Sequence, residues 1–237
     1  MKQILVNLTD EDLSFPNPHT ALTEPNGLLA VGGDLQIQRL INAYTQGIFP
    51  WFSEDDPYLW WSPDPRTIIN VDEININRTL KKFLKKSPYT VSINKAFSQV
   101  IALCADAPFR NDDTWILDDM LIAYTDLRHA GFAHSIEVWQ DEKLVGGLYG
   151  VAINGLFSGE SMFYLKDNAS KVALLALSDL LKQQGISFID CQLQNPFLQA
   201  MGAIEIPRTV FLNRKNAELK IQLPTDFWQA RTLQADE

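Results

Sequence analysis

Two stretches of this chain place acids and an amide where strands should be apolar. In "ISFIDCQL" (186–193) the two-residue period of a strand puts Asp190 and Gln192 on one face with Ile186 and Phe188. In "LFSGESMF" (156–163) Glu160 shares a face with Leu156, Ser158 and Met162. A carboxylate on a buried strand costs free energy unless it is paired or used. Either acid alone is explained equally well by a buried arginine, by a capped backbone amide or by chemistry. Two acids and an amide on neighbouring strands point to a site that receives a cation or an amine.

Nucleophilic catalysis of the usual kind has little support. No serine sits in a G-x-S-x-G setting, and His19, His129 and His134 are scattered without an obvious partner. Cys104 and Cys191 lie far apart with no C-x-x-C spacing, so neither a disulfide framework nor a zinc site is indicated. A reaction that needs positioning and mild base assistance fits better, and no cofactor or metal is expected.

The elements that must hold these residues are a sheet and its helices. "AHSIEVWQ", "KLVGGLYGVAI" and "LFSGESMF" read as successive strands, with Asn154-Gly155 as a type I′ hairpin turn. Asn168 is expected to cap "ASKVALLALSDLLKQQ", a helix apolar over much of its circumference, with Gly185 behind it. "TWILDDMLIAYTDLRHAG" suggests a helix ended by Gly131. Upstream, proline and glycine punctuate "FPNPHTALTEPNGLLAVGGDL", "GLLAVGGDL" reads as turns, and Asp34 is expected to cap a helix closed by Gly47. That is one helix on a loop-rich platform. After Pro63-Asp64-Pro65 the pattern changes, which predicts a small domain over 1–65 and a mixed α/β (α+β) domain over 66–237 ending in a partly ordered tail.

The platform also holds "GIFPWFSEDDPYLWWSPDPR" (47–66), where Trp51, Trp60 and Trp61 crowd into one proline-punctuated segment. Such rings serve as core anchors or as flat surfaces for stacking. Composition narrows the partners: 46% hydrophobic residues suffice for a core, and a formal charge of −9 opposes indiscriminate nucleic-acid binding. Locally, "NRTLKKFLKKSPY" gathers Arg78, Lys81, Lys82, Lys85 and Lys86 at helical spacing on one face, either a solvated face or a track for phosphates. The N-terminal stretch lacks an apolar signal core and no run is long enough to span a membrane, so a cytoplasmic location is expected.

Taken in order, "EPNGLLAVGGDL", the tryptophan-rich segment, "TWI", "AHSIEVW", "LVGGLYGVAINGLFSGESMF", "NASKVALLAL", "IDCQ" and "MGAIEIPR" resemble the bacterial leucyl/phenylalanyl-tRNA–protein transferase family from about Phe15 to Arg208. The resemblance implies a catalytic domain similar to the GNAT acyltransferase fold. It also implies transfer of Leu or Phe from aminoacyl-tRNA to proteins with N-terminal Arg or Lys, marking them for degradation. By the same resemblance, Trp51, Trp115 and Tyr44 would attend the terminal adenosine and its ester. Leu148, Phe157, Leu174, Leu177 and Ile189 would hold the amino-acid side chain. Glu160, Asp190 and Asn195 would receive the acceptor, and the basic stripe would meet the tRNA body. Trp60 and Trp61 are assigned as anchors.

An aminoacyl ester is already activated, so amide formation needs no ATP. Asp190 is expected to orient the amine or take its proton, with Gln192 fixing that carboxylate or donating to the oxyanion. A monomer is expected. Tyr164, Phe197 and Ala200 depart from the family pattern and put local hydrogen bonds in question. Strand alternation sets Ile189 opposite Asp190 and Phe157 opposite Glu160, so pocket and polar site should lie on different sides unless the strands splay. Two other readings remain open, an acetyl-CoA-dependent GNAT acetyltransferase and a non-catalytic adapter for basic N-termini. "YLKDNASKVA" lacks the glycines a pyrophosphate turn needs, and an adapter needs neither Trp51 nor the stripe.

Overall fold

The computed structural model describes residues 5–106 and 116–233. In chain order the elements are β1 (Val6–Leu8), β2 (Leu28–Gly32), α1 (Ile37–Gln46), β3 (Phe49–Pro50), β4 (Leu59–Trp61), β5 (Arg66–Asn70), α2 (Arg78–Leu84), β6 (Thr90–Ile93), α3 (Phe97–Ala105) and α4 (Asp118–His129). They continue with β7 (Ala133–Gln140), β8 (Lys143–Ile153), β9 (Leu156–Tyr164), α5 (Ala169–Gln183), β10 (Phe188–Gln192), α6 (Pro196–Ala200), β11 (Ile204–Ile206), α7 (Arg208–Glu218) and β12 (Arg231–Leu233). The chain is mixed α/β, as its alternating periods predict.

The opening region is more regular than its punctuation suggests. Among the described residues it forms a four-stranded sheet in the order β1-β2-β4-β3, and the "LLAVG" within "GLLAVGGDL" is a strand rather than a turn. Helix α1 starts later than expected, with Gln36 at its N-cap. Asp34 is drawn instead to the fully buried Arg39, whose Nε lies 3.2 Å from its Oδ1, while that same oxygen accepts from the Gln36 N–H. A buried guanidinium needs its counter-charge more than the helix needs a cap. Gly47 does close α1, at φ 79°.

The large sheet runs β11-β5-β10-β9-β8-β7-β6-β12 among the described residues, antiparallel except for the parallel pair β9/β10. Alternation along β8 gives each face its own core. Tyr149 and Val151 pack with Phe97, Val100 and Tyr124 of α3 and α4, and that cluster continues into Leu40, Ala43 and Trp60 of the opening region. Leu148 and Ala152 pack with Phe157, Ile189 and α5 through Leu174 and Leu177. The fully buried Trp60 is thus an anchor, edge-on to Phe15 and donating through Nε1 to the Gly32 carbonyl at 2.9 Å.

Two local expectations are corrected. The β8–β9 hairpin has its two-residue loop, but only Asn154 has positive φ (53°); Gly155 is required because a Cβ would stand 2.7 Å from the Glu218 carbonyl oxygen, so the turn is not type I′. Asn168 does occupy the N-cap of α5, yet at φ 64° it makes no side-chain cap bond. Of the expected partly ordered tail, the described part is docked, since Phe227 is buried and β12 pairs with β6. The alternating strands were legible, whereas a pairing between distant segments was not.

Candidate active site

Strands β9 and β10 touch only briefly. Their parallel ladder pairs Ile189 with Phe157 and Asp190 with Ser158, and beyond it the strands splay. Each carries an irregularity at that point. On β9 the register against β8 jumps between Tyr149/Ser161 and Gly150/Gly159, leaving Glu160 as the extra residue. On β10 it jumps between Asp190 and Gln192, and Gln192 takes φ 56°. A bulge inserts one residue and breaks the two-residue alternation. Glu160 and Gln192 can therefore join the apolar face from which strict alternation would exclude them.

The splay opens a cavity of ≈ 510 Å³. Leu148, Phe157, Leu174, Leu177 and Ile189 all line it, with Glu160, Gln192 and Asn195 on the same wall set. The five apolar residues are each nearly fully buried. Helix α5 supplies two of them because its apolar face lies on the sheet, and β8, β9 and β10 supply the rest. Tyr164 and Phe197, both departures from the family pattern, also line the cavity; Ala200 does not, and its carbonyl accepts from Asn75 Nδ2 at 3.1 Å.

Glu160 is the titratable centre of this cavity. Tyr124 Oη donates to its Oε2 at 2.7 Å and Gln192 Nε2 to its Oε1 at 3.3 Å. Tyr44 Oη lies 2.6 Å from Tyr124 Oη. Because Tyr124 spends its single proton on Glu160, Tyr44 must donate to Tyr124. Burial pushes the Glu160 carboxyl up from its usual 4.5 to about 7, against the two tyrosine hydroxyls that pull it down. Burial and the Glu160 charge hold both phenols well above their usual range, so they stay donors. The arrangement is a carboxylate poised to exchange a proton near neutral pH.

Asp190 is elsewhere. It is 1% exposed, does not line the cavity, and faces Arg66 at the start of β5. Arg66 Nε and Nη2 grip its two oxygens at 2.8 and 2.7 Å, Ser158 Oγ donates to Oδ2 at 3.1 Å, and the Gln192 N–H donates to Oδ1 at 3.2 Å. Four donors leave no lone pair for an amine, which corrects the expectation that Asp190 contacts the acceptor. Arg66 is itself sandwiched between the rings of Phe49 and Phe211. Tyr44 is corrected as well: it is 2% exposed and belongs to the hydroxyl chain, out of reach of an adenosine. Asn195 caps α6, its Oδ1 accepting from the Leu198 N–H at 2.8 Å.

Of the remaining expected residues, those the structure describes lie outside the cavity. Trp51 is 42% exposed and its ring tilts against the half-buried Trp61, which donates to the Trp51 carbonyl. Trp115 lies outside the described residues. Arg78, Lys81, Lys82, Lys85 and Lys86 are all exposed, but α2 ends at Leu84, so Lys85 is its C-cap and Lys86 follows it. Sequence reasoning missed Tyr124 and Arg66. Tyr124 shares a helical face with Met120, Ala123 and Leu127 and reads as core; Arg66 precedes the apolar "TII" and carries no motif. Cys191 lines the cavity, but burial pushes its thiol up, as does the neighbouring Asp190 charge, so it is no nucleophile.

Known proteins are closely similar to this chain in sequence. The family described as leucyl/phenylalanyl-tRNA protein transferase matches residues 68–216, and its N-terminal domain matches residues 33–64. A leucyl/phenylalanyl-tRNA–protein transferase of Colwellia psychrerythraea is 59% identical over 238 residues, covering 98% of this chain and 99% of that protein. One of Pseudoalteromonas atlantica is 52% identical over 224 residues, covering 94% and 96%. Among solved structures, a GCN5-related N-acetyltransferase from Kribbella flavida is 10% identical with a TM-score of 0.36, over 70% of this chain and 59% of that one, a likeness too slight to carry function. With the match running through every strand that lines the cavity, and with half or more of all positions shared along nearly the entire chain, this chain belongs to the leucyl/phenylalanyl-tRNA protein transferase family.

Proposed function

We propose that the protein transfers a leucyl or phenylalanyl group from aminoacyl-tRNA to the α-amine of a protein or peptide that begins with arginine or lysine, a modification that marks the acceptor for degradation. The observation that carries this reading is the meeting of an apolar cavity with Glu160 and Gln192 at the splayed β9/β10 junction. The cavity takes the Leu or Phe side chain, which brings the ester carbonyl to the polar end. There the amine nitrogen attacks the carbonyl carbon, the bond to the terminal ribose oxygen breaks, and an amide forms. Glu160 takes the amine proton and returns one to the departing ribose hydroxyl. An α-amine with a pKa near 8 is already partly neutral at pH 7, so a base at about 7 is matched to it. Gln192 and the Asn195 amide point donors at the developing oxyanion and the acceptor. Asp190 is a positioning residue, holding the Gln192 backbone in its bulge. Much of the acceleration comes from juxtaposing amine and ester, worth ~7–11 kcal/mol.

Trp51, on the domain formed by residues 1–65, offers the exposed ring for the tRNA's terminal adenosine, with Trp115 as its counterpart; residues 66–237 are the catalytic domain. Base stacking contributes ~1–3 kcal/mol, so Trp51→Ala should weaken use of aminoacyl-tRNA by roughly tenfold while leaving acceptor-peptide binding unchanged, as steady-state kinetics with each substrate varied in turn will read. The exposed basic run along α2 and just past its end tracks the tRNA backbone. Reversing Lys81, Lys82, Lys85 and Lys86 to Glu should raise KM for full tRNA and flatten its salt dependence, with little change for a short 3′-end analogue. One chain supplies every proposed contact, consistent with a monomer, and charged tRNA as donor puts the reaction in the cytoplasm. Among the described residues no helix is long and apolar enough to cross a membrane. The direct test mixes purified protein, leucyl-tRNA and a peptide beginning with arginine, without nucleotide. A peptide heavier by one leucine residue is expected, and an unchanged mass overturns the reading.

A further inference from the structure

Beyond α7 the chain returns across the sheet, and the cavity wall depends on where it lands. Trp228 is half-buried and its ring stacks on His134 of β7, centroids 4.3 Å apart and planes within 6°. Asn94 fixes both partners. Its Nδ2 donates to the Trp228 carbonyl at 2.6 Å and to His134 Nδ1 at 3.0 Å, while its Oδ1 accepts from the Ser135 N–H. With Nδ1 accepting, the His134 proton sits on Nε2, which donates to the Gly131 carbonyl at 3.1 Å. Phe227 is buried beside it, and β12 ties the segment to the sheet edge. The indole is held in one orientation from several sides.

That indole backs the floor of the cavity. Phe157 lines the cavity and is 1% exposed, and its ring stands 5.7 Å from Trp228, tilted by 33°. The ring also occupies space that only a glycine leaves: a Cβ on Gly150 would lie 2.6 Å from its Cε1 and Cζ. Phe157 therefore has glycine backbone beside it, the indole of Trp228 against it, and the cavity as its open side. Packed interiors transmit such constraints, because a ring without a neighbour moves into the vacancy.

We infer that Trp228, held by His134 and Asn94, is a specificity-determining positioning residue that sets the depth of the aminoacyl pocket through Phe157. This rests on the proposed reading that the cavity receives the Leu or Phe side chain. With the indole gone, Phe157 settles toward the vacancy and the pocket deepens, which favours phenylalanine over leucine. Shape discrimination by one methylene is worth at least ~10-fold, so a shift of that order in preference is expected.

The test compares wild type, Trp228→Ala and Trp228→Phe. One measurement is the ratio of kcat/KM for phenylalanyl-tRNA to that for leucyl-tRNA in competition. The other is the ratio of Kd values for amide-linked phenylalanyl- and leucyl-aminoadenosine, which needs no turnover. Trp228→Ala should raise the preference for phenylalanine about tenfold in both measurements, and Trp228→Phe, which keeps a ring against His134, should stay near wild type. Should the alanine chain not fold by circular dichroism, Trp228→Leu carries the same comparison. A folded variant in which both substrates weaken in parallel, leaving the ratios unchanged, overturns the inference and leaves the pocket assignment standing. Wild-type protein that binds neither analogue overturns the pocket assignment itself, and this inference with it.

Discussion

Replacing Glu160 with glutamine is expected to lower kcat by about a hundredfold or more, the usual contribution of a positioned general base. Glutamine keeps the shape and still accepts from Tyr124, so the cavity survives while the proton acceptor is lost. The pH profile gives the sharper reading. In the wild type the rate should rise as pH climbs through about 7, where Glu160 ionises. In the variant that limb should disappear, leaving only the acceptor amine's own titration near 8. If Glu160 serves only to attract the cationic acceptor, the outcome is different: KM for the arginine peptide rises and kcat is unchanged.

Stability separates the same substitution from simple damage. A carboxyl raised from 4.5 to about 7 on folding stabilises the fold through its protonated form, fully below pH 4.5, and that contribution is lost as pH rises through 7. The ionised, half-buried carboxylate is thus a liability at pH 8, and Glu160→Gln should melt at a higher temperature than wild type there. Thermal melts at pH 5 and pH 8 will show the difference growing with pH. A variant that is both less active and less stable at pH 8 would mean that Glu160 is held for structure.

The second large effect is expected at the Arg66–Asp190 pair. Asp190→Ala leaves a guanidinium at 1% exposure without its carboxylate, and breaking a buried pair in this way typically destabilises by ~3–5 kcal/mol. For a chain of this size that lowers Tm by roughly 10 °C. Replacing both partners with apolar residues of similar volume, Arg66→Met with Asp190→Leu, should recover most of the loss, since the pair also carries the desolvation of two ions. Activity then decides the role of Asp190. If it positions Gln192, the double variant regains stability while kcat stays low, because the Gln192 N–H has lost its acceptor. Recovery of both would reduce Asp190 to a fold element, and the bulge would then be held by other contacts.

Much of this was legible beforehand, and what was not has a common cause. The strands β7, β8 and β9 and the helix α5 follow from short-range periodicity, and the five pocket residues carried over from the family resemblance converge on one cavity. Alternation failed at Glu160 and Gln192 because a bulge is a relation between two strands, and neither strand's apolar pattern announces it. Tyr44 was misassigned because its hydroxyl partner, Tyr124, lies 80 positions away. The sequence leaves Asp190 open either to substrate or to a buried arginine partner. Arg66, 124 positions distant, is that arginine. Local pattern locates elements, and long-range pairing decides which polar groups remain unspent.

Among the described residues, the outer strands of the large sheet, β11 and β12, are three residues long. An exposed margin that short offers few free amides and carbonyls for a neighbouring molecule to extend, so the sheet is poorly suited to recruit further copies edge to edge. The protein should accordingly stay dispersed in concentrated solution.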